Sequence, residues 1–333
     1  MAISGALTGT VVVHRLQSER LAQNPLGDPT SRDLHIYLPP GYDPERPTPA
    51  LLAIVGFTGT GASLFNLDPL GEDLKSRLDR LILSGACPKV IVVAPDCFTR
   101  VGGNQYINST ATGPYEDYLL DEVMPFVAAQ HRIKAWGVFG KSSGGYGAIM
   151  LAMRHPGVFG AIADHSGDAG FELCYLPDFP AALDAFREAG GPLAWLDRFW
   201  ADPNRHRRRY MKPLNILGMA AHYSPDPSAP LGIAFPFDLE TGEHRPEVWA
   251  RWRACDPVNL VESHAAALRG LRVLYIDCGL RDEFNLLWGA RALVARLRRA
   301  GIAPHYEEFD DGHMSISYRY DVSVPLLVKA LDR

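Results

Sequence analysis

The segment Gly140-Lys141-Ser142-Ser143-Gly144 combines two hydroxyl groups with two glycines, a set of residues suited to nucleophilic attack on a carbonyl carbon. It fits the pattern G-x-S-x-G, in which a serine occupies a sharp turn between a strand and a helix. Glycines two residues before and two residues after Ser142 lack the Cβ atoms that would collide in such a turn. Ser143 has only one glycine at these spacings, so Ser142 is the predicted nucleophile and the Ser143 N–H a predicted oxyanion donor.

A serine hydroxyl is a weak nucleophile unless a base accepts its proton, so a histidine is required. The chain has 11 histidines. His313 is the strongest candidate, because it lies on a loop between the last predicted strand and the last predicted helix. His165 directly follows an apolar run that we predict as a core strand, which makes it a candidate residue of the substrate pocket.

The histidine needs a carboxylate that fixes its tautomer and stabilises the imidazolium. Asp277 lies within an apolar run and is expected to be structural, whereas Asp282 lies on the loop beyond that run and is the predicted acid. Asp310 and Asp311 are weaker alternatives, because they are too close in sequence to the histidine to face its ring easily. The resulting chain order of serine, acid and histidine is that of the α/β-hydrolase fold.

A second oxyanion donor is expected from the loop that follows an earlier strand. The apolar run 51–55 leads into the glycine-rich segment 56–61, where the backbone can approach a substrate closely. We assign the donor to the Phe57 N–H and count Thr58 among the pocket candidates. A phosphate-binding loop is excluded here, because no Gly-Lys-Ser/Thr sequence ends the segment.

Strand-like and helix-like segments alternate along the chain and must position these residues. Apolar, β-branched runs predict strands at 10–14, 33–38, 50–56, 90–94, 135–140, 160–164, 272–277 and 304–309. Helical patterns cover 73–84, 115–130, 145–154, 286–300 and 321–331. The first two strands alternate in polarity as edge strands do, and the middle ones are continuously apolar. This alternation predicts an α/β fold, with a mostly parallel sheet between layers of helices.

The interval from residue 169 to about 269 is far longer than a single connecting helix requires. We predict that 169–269 is a cap inserted into a hydrolase core formed by 1–168 and 270–333. An independent domain is the less favoured alternative, because no linker-like segment flanks the interval. The tryptophans of the interval either contact an apolar or aromatic substrate group or pack the cap.

Composition limits which partners and which cellular compartment we expect for the protein. The net charge of −5 and the pI near 6.1 argue against a nucleic-acid partner. No apolar run is long enough to span a membrane, and the first twenty residues lack the pattern of a signal peptide. The five cysteines form no CxxC pair, which fits a reducing compartment and no metal site. We expect a cytoplasmic protein without a cofactor; a homodimer stays open.

Several further motifs lie around these residues. They are LHIYLPPGYD (34–43), VGFTGTG (55–61), VVAPDCF (92–98), GNQYINSTATGPYEDYLLDEVMPFV (103–127), GKSSGGYGA (140–148), CGLRDEF (278–284) and DGHMS (311–315). Together they resemble the putative-esterase (esterase D-like) branch of the α/β-hydrolases. That branch includes S-formylglutathione hydrolases, feruloyl and acetylxylan esterases, enterochelin esterases and mycolyltransferases.

The resemblance implies the same catalytic and oxyanion residues as the reasoning above: Ser142, Asp282 and His313, with Phe57 and Ser143. It also implies that Gln105 and Tyr106 line the substrate pocket. The chain departs from the family at Val55, where many members carry His or Asp, and at Ser143, where Met is common. Both departures bear on the shape of the pocket.

The expected activity is hydrolysis of a small or medium carboxylic ester through an acyl-enzyme, and an aromatic or apolar ester stays open. The alternatives are an acyltransferase or a thioesterase of the S-formylglutathione hydrolase type, which would use the same three residues. A catalytically silent binding module is the least favoured, since binding alone makes no demand for a nucleophile, an acid and a base together.

Overall fold

The structure is a computed structural model that describes residues 8–333. Residues 1–7 belong to the predicted core and to the segment where no signal peptide is expected, and they lie outside the described residues. Eight strands form the main sheet: β1 Thr10–Gln17, β2 Ser31–Leu38, β3 Thr48–Ile54, β4 Ile91–Pro95, β5 Ile133–Lys141, β6 Phe159–His165, β7 Val273–Gly279 and β8 His305–Phe309. All eight predicted strands are therefore confirmed, with bounds that shift by a few residues.

The strands are arranged in the order β1-β2-β4-β3-β5-β6-β7-β8. β2 runs antiparallel to both of its neighbours, β1 and β4, and every pair from β4 to β8 is parallel. Every residue of β3 is buried, whereas the edge strand β1 alternates between exposed and half-buried positions. The predicted mostly parallel sheet is confirmed, and its parallel strands end at one common edge.

Twelve helical segments flank or cover the sheet. In the core they are α1 Leu74–Leu83, α2 (Tyr115–Asp117, a π-helical stretch Tyr118–Val123, and Met124–Gln130), α3 Ser143–Arg154, α11 Leu286–Arg299 and α12 Tyr320–Leu331. Between β6 and β7 they are α4 Phe171–Cys174, α5 Phe179–Ala189, α6 Pro192–Ala201, α7 Met211–Tyr223, α8 Pro246–Arg253, α9 Pro257–Leu260 and α10 Ala265–Arg269. No helix of the described residues has the length and apolar character needed to cross a membrane.

Shorter elements complete the chain. Turns of 3₁₀ helix cover Gly61–Phe65, Leu176–Asp178, Arg208–Tyr210, Pro230–Gly232 and Ser317–Arg319. A two-residue hairpin pairs Asn108–Ser109 with Gly113–Pro114. The five predicted core helices are all confirmed.

Helix α3 carries the serine motif into the centre of the molecule. Every residue of α3 except Arg154 is buried, because its glycines and alanines let it lie close to the sheet on one side and to the cap interval on the other. Tyr146 marks the second contact: its ring lies 5.7 Å from that of Tyr223, and its hydroxyl donates to the Cys255 carbonyl at 3.1 Å. The turn before α3 is therefore clamped between two packed layers.

The tryptophans of the interval 169–269 mostly pack against one another and against tyrosines. Trp252 is fully buried, 5.5 Å from the Tyr223 ring and 5.7 Å from the Trp249 ring, measured between centroids. Trp195 stacks on Phe199 at 5.6 Å. These contacts favour the packing role over substrate contact for those side chains. The division into core and cap at 168/169 and 269/270 stays a prediction.

Candidate active site

Ser142 occupies the single-residue turn between β5, which ends at Lys141, and α3, which begins at Ser143. Its backbone has φ 59° and ψ −126°, a conformation that a non-glycine residue adopts only when its surroundings impose it. Two hydrogen bonds impose it here. The Ser142 N–H donates to the His165 carbonyl, and the Ser142 carbonyl accepts from the Tyr146 N–H, each at 2.9 Å.

The two glycines of the motif are required by close backbone contacts. A Cβ atom on Gly140 would lie 2.4 Å from the carbonyl oxygen of Ile54, and one on Gly144 would lie 2.2 Å from the same oxygen. Neither distance is tolerable, and the clashing atom is backbone, which has little freedom to move aside. The expected steric need for glycine at both positions is confirmed.

His313 and Asp282 are in direct contact. The Nδ1 atom of His313 lies 2.7 Å from Oδ2 of Asp282, and both side chains are almost completely buried. The other oxygen of Asp282 accepts from the backbone N–H groups of Phe284 at 3.0 Å and Leu286 at 3.3 Å. A carboxylate held in this way keeps the Nδ1 proton of a neutral imidazole and leaves Nε2 as the acceptor.

The two alternative acids point elsewhere. Asp310 forms an ion pair with Arg281 at the surface. Asp311 accepts from the Gly312 N–H at 2.8 Å and from the Tyr318 hydroxyl at 3.1 Å. Among the described residues, Asp282 is the carboxylate that hydrogen-bonds the His313 ring.

Ser142 and His313 open into one cavity of about 370 Å³, a size typical of small-molecule sites. Its lining includes Phe57, Thr58, Ser142, Ser143, Asp168 and His313. The structure thus brings the predicted nucleophile, the predicted base and both predicted oxyanion donors to one cavity, with the predicted acid directly behind the base.

The loop after β3 passes directly beside the serine. A Cβ atom on Gly56 would lie only 3.9 Å from Ser142 Oγ, so the next amide, that of Phe57, is within reach of a substrate bound to the serine. The Phe57 ring packs so closely on Gly102, Gly103 and Gly218 that a Cβ at any of them would lie within 2.9 Å of it. Among the described residues, neither the Phe57 N–H nor the Ser143 N–H has a hydrogen-bond acceptor.

The structure places only some of the four predicted pocket residues at the cavity. Thr58 lines the cavity. Gln105 and Tyr106 are buried behind the cavity wall, so the expectation that they line the pocket is wrong in the part of the chain described. The Gln105 amide donates to Ser143 Oγ at 2.7 Å, and the Tyr106 hydroxyl donates to the Val55 carbonyl at 2.6 Å. Both side chains support the cavity wall from behind.

His165 was predicted to line the substrate pocket, and the structure places it in the core instead. It is fully buried beneath the sheet edge, with Nδ1 2.8 Å from Asp277 Oδ1 and Nε2 2.8 Å from Ser323 Oγ. Both ring nitrogens are occupied, so no substrate contact is available to it. Asp277, the acid expected to be structural, is fully buried as well.

A known protein family matches most of the chain. A model of the family described as "Putative esterase" matches residues 29–322. The chain belongs to this esterase family.

Several solved structures share the fold of this chain. A ferulic acid esterase superimposes with a TM-score of 0.60 at 19% identity, over 98% of this chain and 100% of that one. An S-formylglutathione hydrolase from Agrobacterium tumefaciens gives 0.61 at 18% identity, over 98% and 97%. FphF, a fluorophosphonate-binding serine hydrolase from Staphylococcus aureus, gives 0.58 at 14% identity, over 98% and 99%. At these identities the likeness shows the α/β-hydrolase fold alone.

A curated relative matches a part of the chain. It is an uncharacterized protein from Corynebacterium glutamicum, 26% identical over 146 residues, which are 41% of this chain and 33% of that protein. The chain therefore spans about a third of the length of the curated relative that it matches.

The site also contains residues to which the sequence reasoning gave no role. Glu283 accepts the backbone N–H of His313 at 2.6 Å and so holds the histidine loop. Asp168 lines the cavity, and Tyr175 beside it donates to Asp168 at 2.9 Å. Asp168 follows the carboxyl end of β6, and side chains at that edge of a parallel sheet are the ones that meet in a site. This position in the sequence was the signal that could have pointed to Asp168.

Burial shifts the pKa values of two charged groups in the cavity lining. Burial raises the pKa of Asp168, against hydrogen bonds from Tyr175 and Gln105 and the attraction of His313. Burial lowers the pKa of Lys141, against the attraction of nearby carboxylates. Among the described residues, no three His, Cys, Asp or Glu side chains are grouped to hold a metal ion.

Proposed function

We propose that the protein is a serine carboxylic-ester hydrolase that forms an acyl-enzyme on Ser142. The observation that carries the proposal is the strained turn at Ser142, opening into a cavity that His313 also lines, with Asp282 hydrogen-bonded behind the histidine at 2.7 Å. A conformation of this kind persists only where the surrounding structure fixes it, and such residues cluster at functional sites.

In the first half of the reaction, Ser142 Oγ attacks the ester carbonyl while His313 Nε2 takes its proton. The negative charge that develops on the carbonyl oxygen is stabilised by the N–H groups of Phe57 and Ser143. Asp282 stabilises the imidazolium that forms. His313 then gives its proton to the leaving alcohol, and the acyl group stays on Ser142.

In the second half, water attacks the acyl-enzyme while His313 again accepts a proton. Collapse of the second tetrahedral intermediate releases the carboxylic acid and returns the proton to Ser142. Every proton in this cycle is carried by His313, so the proposal requires neither a metal ion nor an organic cofactor.

The cavity supports a small or medium ester with an apolar part. Its volume of about 370 Å³ is at the lower end of ligand sites. Met211, Phe284 and Met314 line it and are exposed, so a part of its rim is apolar, although the charged Arg208, Lys212 and Glu283 of the lining are exposed as well. An apolar alcohol or aryl group at this rim would exchange water for carbon contacts.

A direct test combines ester turnover with covalent labelling. We expect Ser142→Ala to lower the kcat for p-nitrophenyl butyrate by about 10⁴- to 10⁶-fold, since removing such a nucleophile removes the covalent pathway. A fluorophosphonate probe should label the wild-type protein and not this variant.

Ser143→Ala is the matched control, because it removes the neighbouring hydroxyl and keeps the backbone N–H. It should still be labelled, and peptide mapping should place the label at residue 142. Equal labelling of wild type and Ser142→Ala, or unchanged ester turnover in Ser142→Ala, would refute the proposal.

A further inference from the structure

The part of the cavity wall that lies next to Ser143 is polar. Asp168 lies in this wall and is 7% exposed. One of its oxygens, Oδ2, accepts from the Tyr175 hydroxyl at 2.9 Å, from Gln105 Nε2 at 3.3 Å and from Ser143 Oγ at 3.4 Å. These three donors fix the orientation of the carboxylate.

The other oxygen of Asp168 has no such support. Oδ1 has no hydrogen-bond donor among the described residues, although Asp168 lines the cavity. Oδ1 is not among the fully buried atoms that lack a partner, so a donor that enters the cavity can reach this fixed oxygen. Asp178 is a second carboxylate of the cavity lining, and it already forms an ion pair with Lys212 Nζ at 2.9 Å.

A substrate bound to Ser142 has two parts, the leaving alcohol and the acyl group. The Phe284 ring lies 4.7 Å from the His313 ring, so an alcohol that His313 protonates would leave beside Phe284. The acyl group would stay on Ser142, and the next residue, Ser143, contacts Asp168 through its own hydroxyl at 3.4 Å. The acyl group is therefore the part of the substrate that would lie nearer Asp168.

We infer that Asp168 is a specificity-determining residue, which selects esters whose acyl group carries a hydroxyl or protonated amine a few bonds from the carbonyl. The inference rests on the proposed function, because it takes the acyl group to be bound to Ser142. The donor of the acyl group bonds Asp168 Oδ1, while Oδ2 stays with its three protein donors. No covalent step is added to the reaction.

The test compares p-nitrophenyl butyrate with p-nitrophenyl 3-hydroxybutyrate, as separate enantiomers, which share a leaving group and differ by one hydroxyl. We expect the wild-type kcat/KM to favour one hydroxy enantiomer by about tenfold or more, the effect of one hydrogen bond to a charged group. Asp168→Leu should remove this preference, so that the ratio of the two kcat/KM values falls to about 1 or below. Asp168→Asn keeps the shape of the side chain, and it should lower the ratio where the leucine variant fails to fold.

Two control variants separate specificity from structure. Tyr175→Phe removes one donor to Asp168 and leaves the carboxylate, so the preference should survive. Asp178→Asn removes a second carboxylate of the cavity lining, and it should change the kcat/KM of both esters by the same factor.

The outcomes distinguish this inference from the proposed function. If the wild type turns over both esters and Asp168→Asn changes them equally, Asp168 has a structural role and the inference fails alone. If the wild type turns over neither ester and no fluorophosphonate label appears on Ser142, both fail together.

Discussion

The molecule contains two clusters of serine, histidine and aspartate that share one contact and differ in their surroundings. The pocket cluster lies at the cavity and consists of Ser142, His313 and Asp282. The core cluster lies beneath the sheet edge and consists of Ser323, His165 and Asp277. The histidine-to-aspartate contact is 2.7 Å in the pocket cluster and 2.8 Å in the core cluster. This contact therefore does not distinguish a reactive group from a structural one.

The surroundings of the serines make the difference. In the core cluster the serine is on α12, fully buried and hydrogen-bonded to the histidine at 2.8 Å, with no space for a substrate. Its aspartate is also bound by Arg319 at 2.8 Å and by the Tyr275 hydroxyl at 2.9 Å, contacts that a structural ion pair needs. In the pocket cluster the serine has a strained backbone and lines a cavity. Access and backbone strain, rather than the trio of residue types, mark the candidate site.

The largest expected effect is on catalysis and comes from the pocket cluster. His313→Gln should lower the kcat for p-nitrophenyl butyrate by about 10⁴-fold or more, because it removes the group proposed to accept the Ser142 proton. The thermal midpoint should change little, since this histidine lies at a cavity rather than in the core. His165→Gln is the matched variant and should give the reverse pattern, with lowered stability and retained turnover per folded molecule. Comparable losses of turnover in both variants would erase the distinction.

The next effect is on stability and comes from the core cluster. Asp277→Asn should lower the free energy of unfolding by about 3–5 kcal/mol, because it leaves the buried His165 and the half-buried Arg319 without their shared carboxylate. The same substitution at Asp282 should mainly lower kcat, as expected for a carboxylate that orients a catalytic histidine. Urea unfolding and ester turnover on both variants check the pair. The prediction fails if Asp282→Asn is the more destabilised variant.

The positions of these acids relative to β7 explain how much the sequence could reveal. Asp277 lies inside the strand and Asp282 beyond its end, and this difference was enough to predict which acid is structural and which contacts the histidine loop. Strand and helix patterns also predicted the eight strands and the five core helices, because continuous apolar runs and helical periodicity reflect burial directly. The steric need for Gly140 and Gly144 followed from the same local reasoning.

Residues whose direction depends on distant packing could not be predicted. His165 ends a strand at the edge of the sheet where the cavity lies, but its side chain faces α12, a helix that begins at Tyr320. Successive strand residues point to opposite faces, and the sequence does not say which face α12 covers. Tyr106 is a second example, because its φ of 58° turns its side chain into the core and only the folded loop sets that angle. Asp168 belongs to none of the motifs, and only the folded structure shows that it lines the cavity.

The smallest expected effect concerns the pH dependence of stability, and it tests the surroundings of the core cluster. Asp164 directly precedes His165, and burial raises its pKa to about 7, with a further contribution from the nearby Asp277. An unfolded aspartate has a pKa of about 3.9, so the folded state binds the extra proton between about pH 4 and 7. Stability should therefore fall as the pH rises through this window.

Asp277 acts in a different range. Burial opposes its ionisation, but His165 and Arg319 outweigh burial, so the pKa of Asp277 lies below the ordinary value. Its stabilising contribution is fully present above about pH 4 and is lost only as the pH falls further. Between pH 5 and 8 the slope contributed by this pair of neighbouring carboxyls should come from Asp164 alone.

Asp164→Asn should consequently flatten the dependence of unfolding free energy on pH, by up to about 1.4 kcal/mol per pH unit between pH 5 and 7. The reason is that the amide has no proton to lose in this range, whatever the absolute stability of the variant. Urea titrations at pH 5, 6, 7 and 8 on the variant and the wild type give the two slopes. Parallel profiles would show that Asp164 is ionised in the folded protein throughout this range, and that the buried side of the sheet edge tolerates an unpaired charge beside the core cluster.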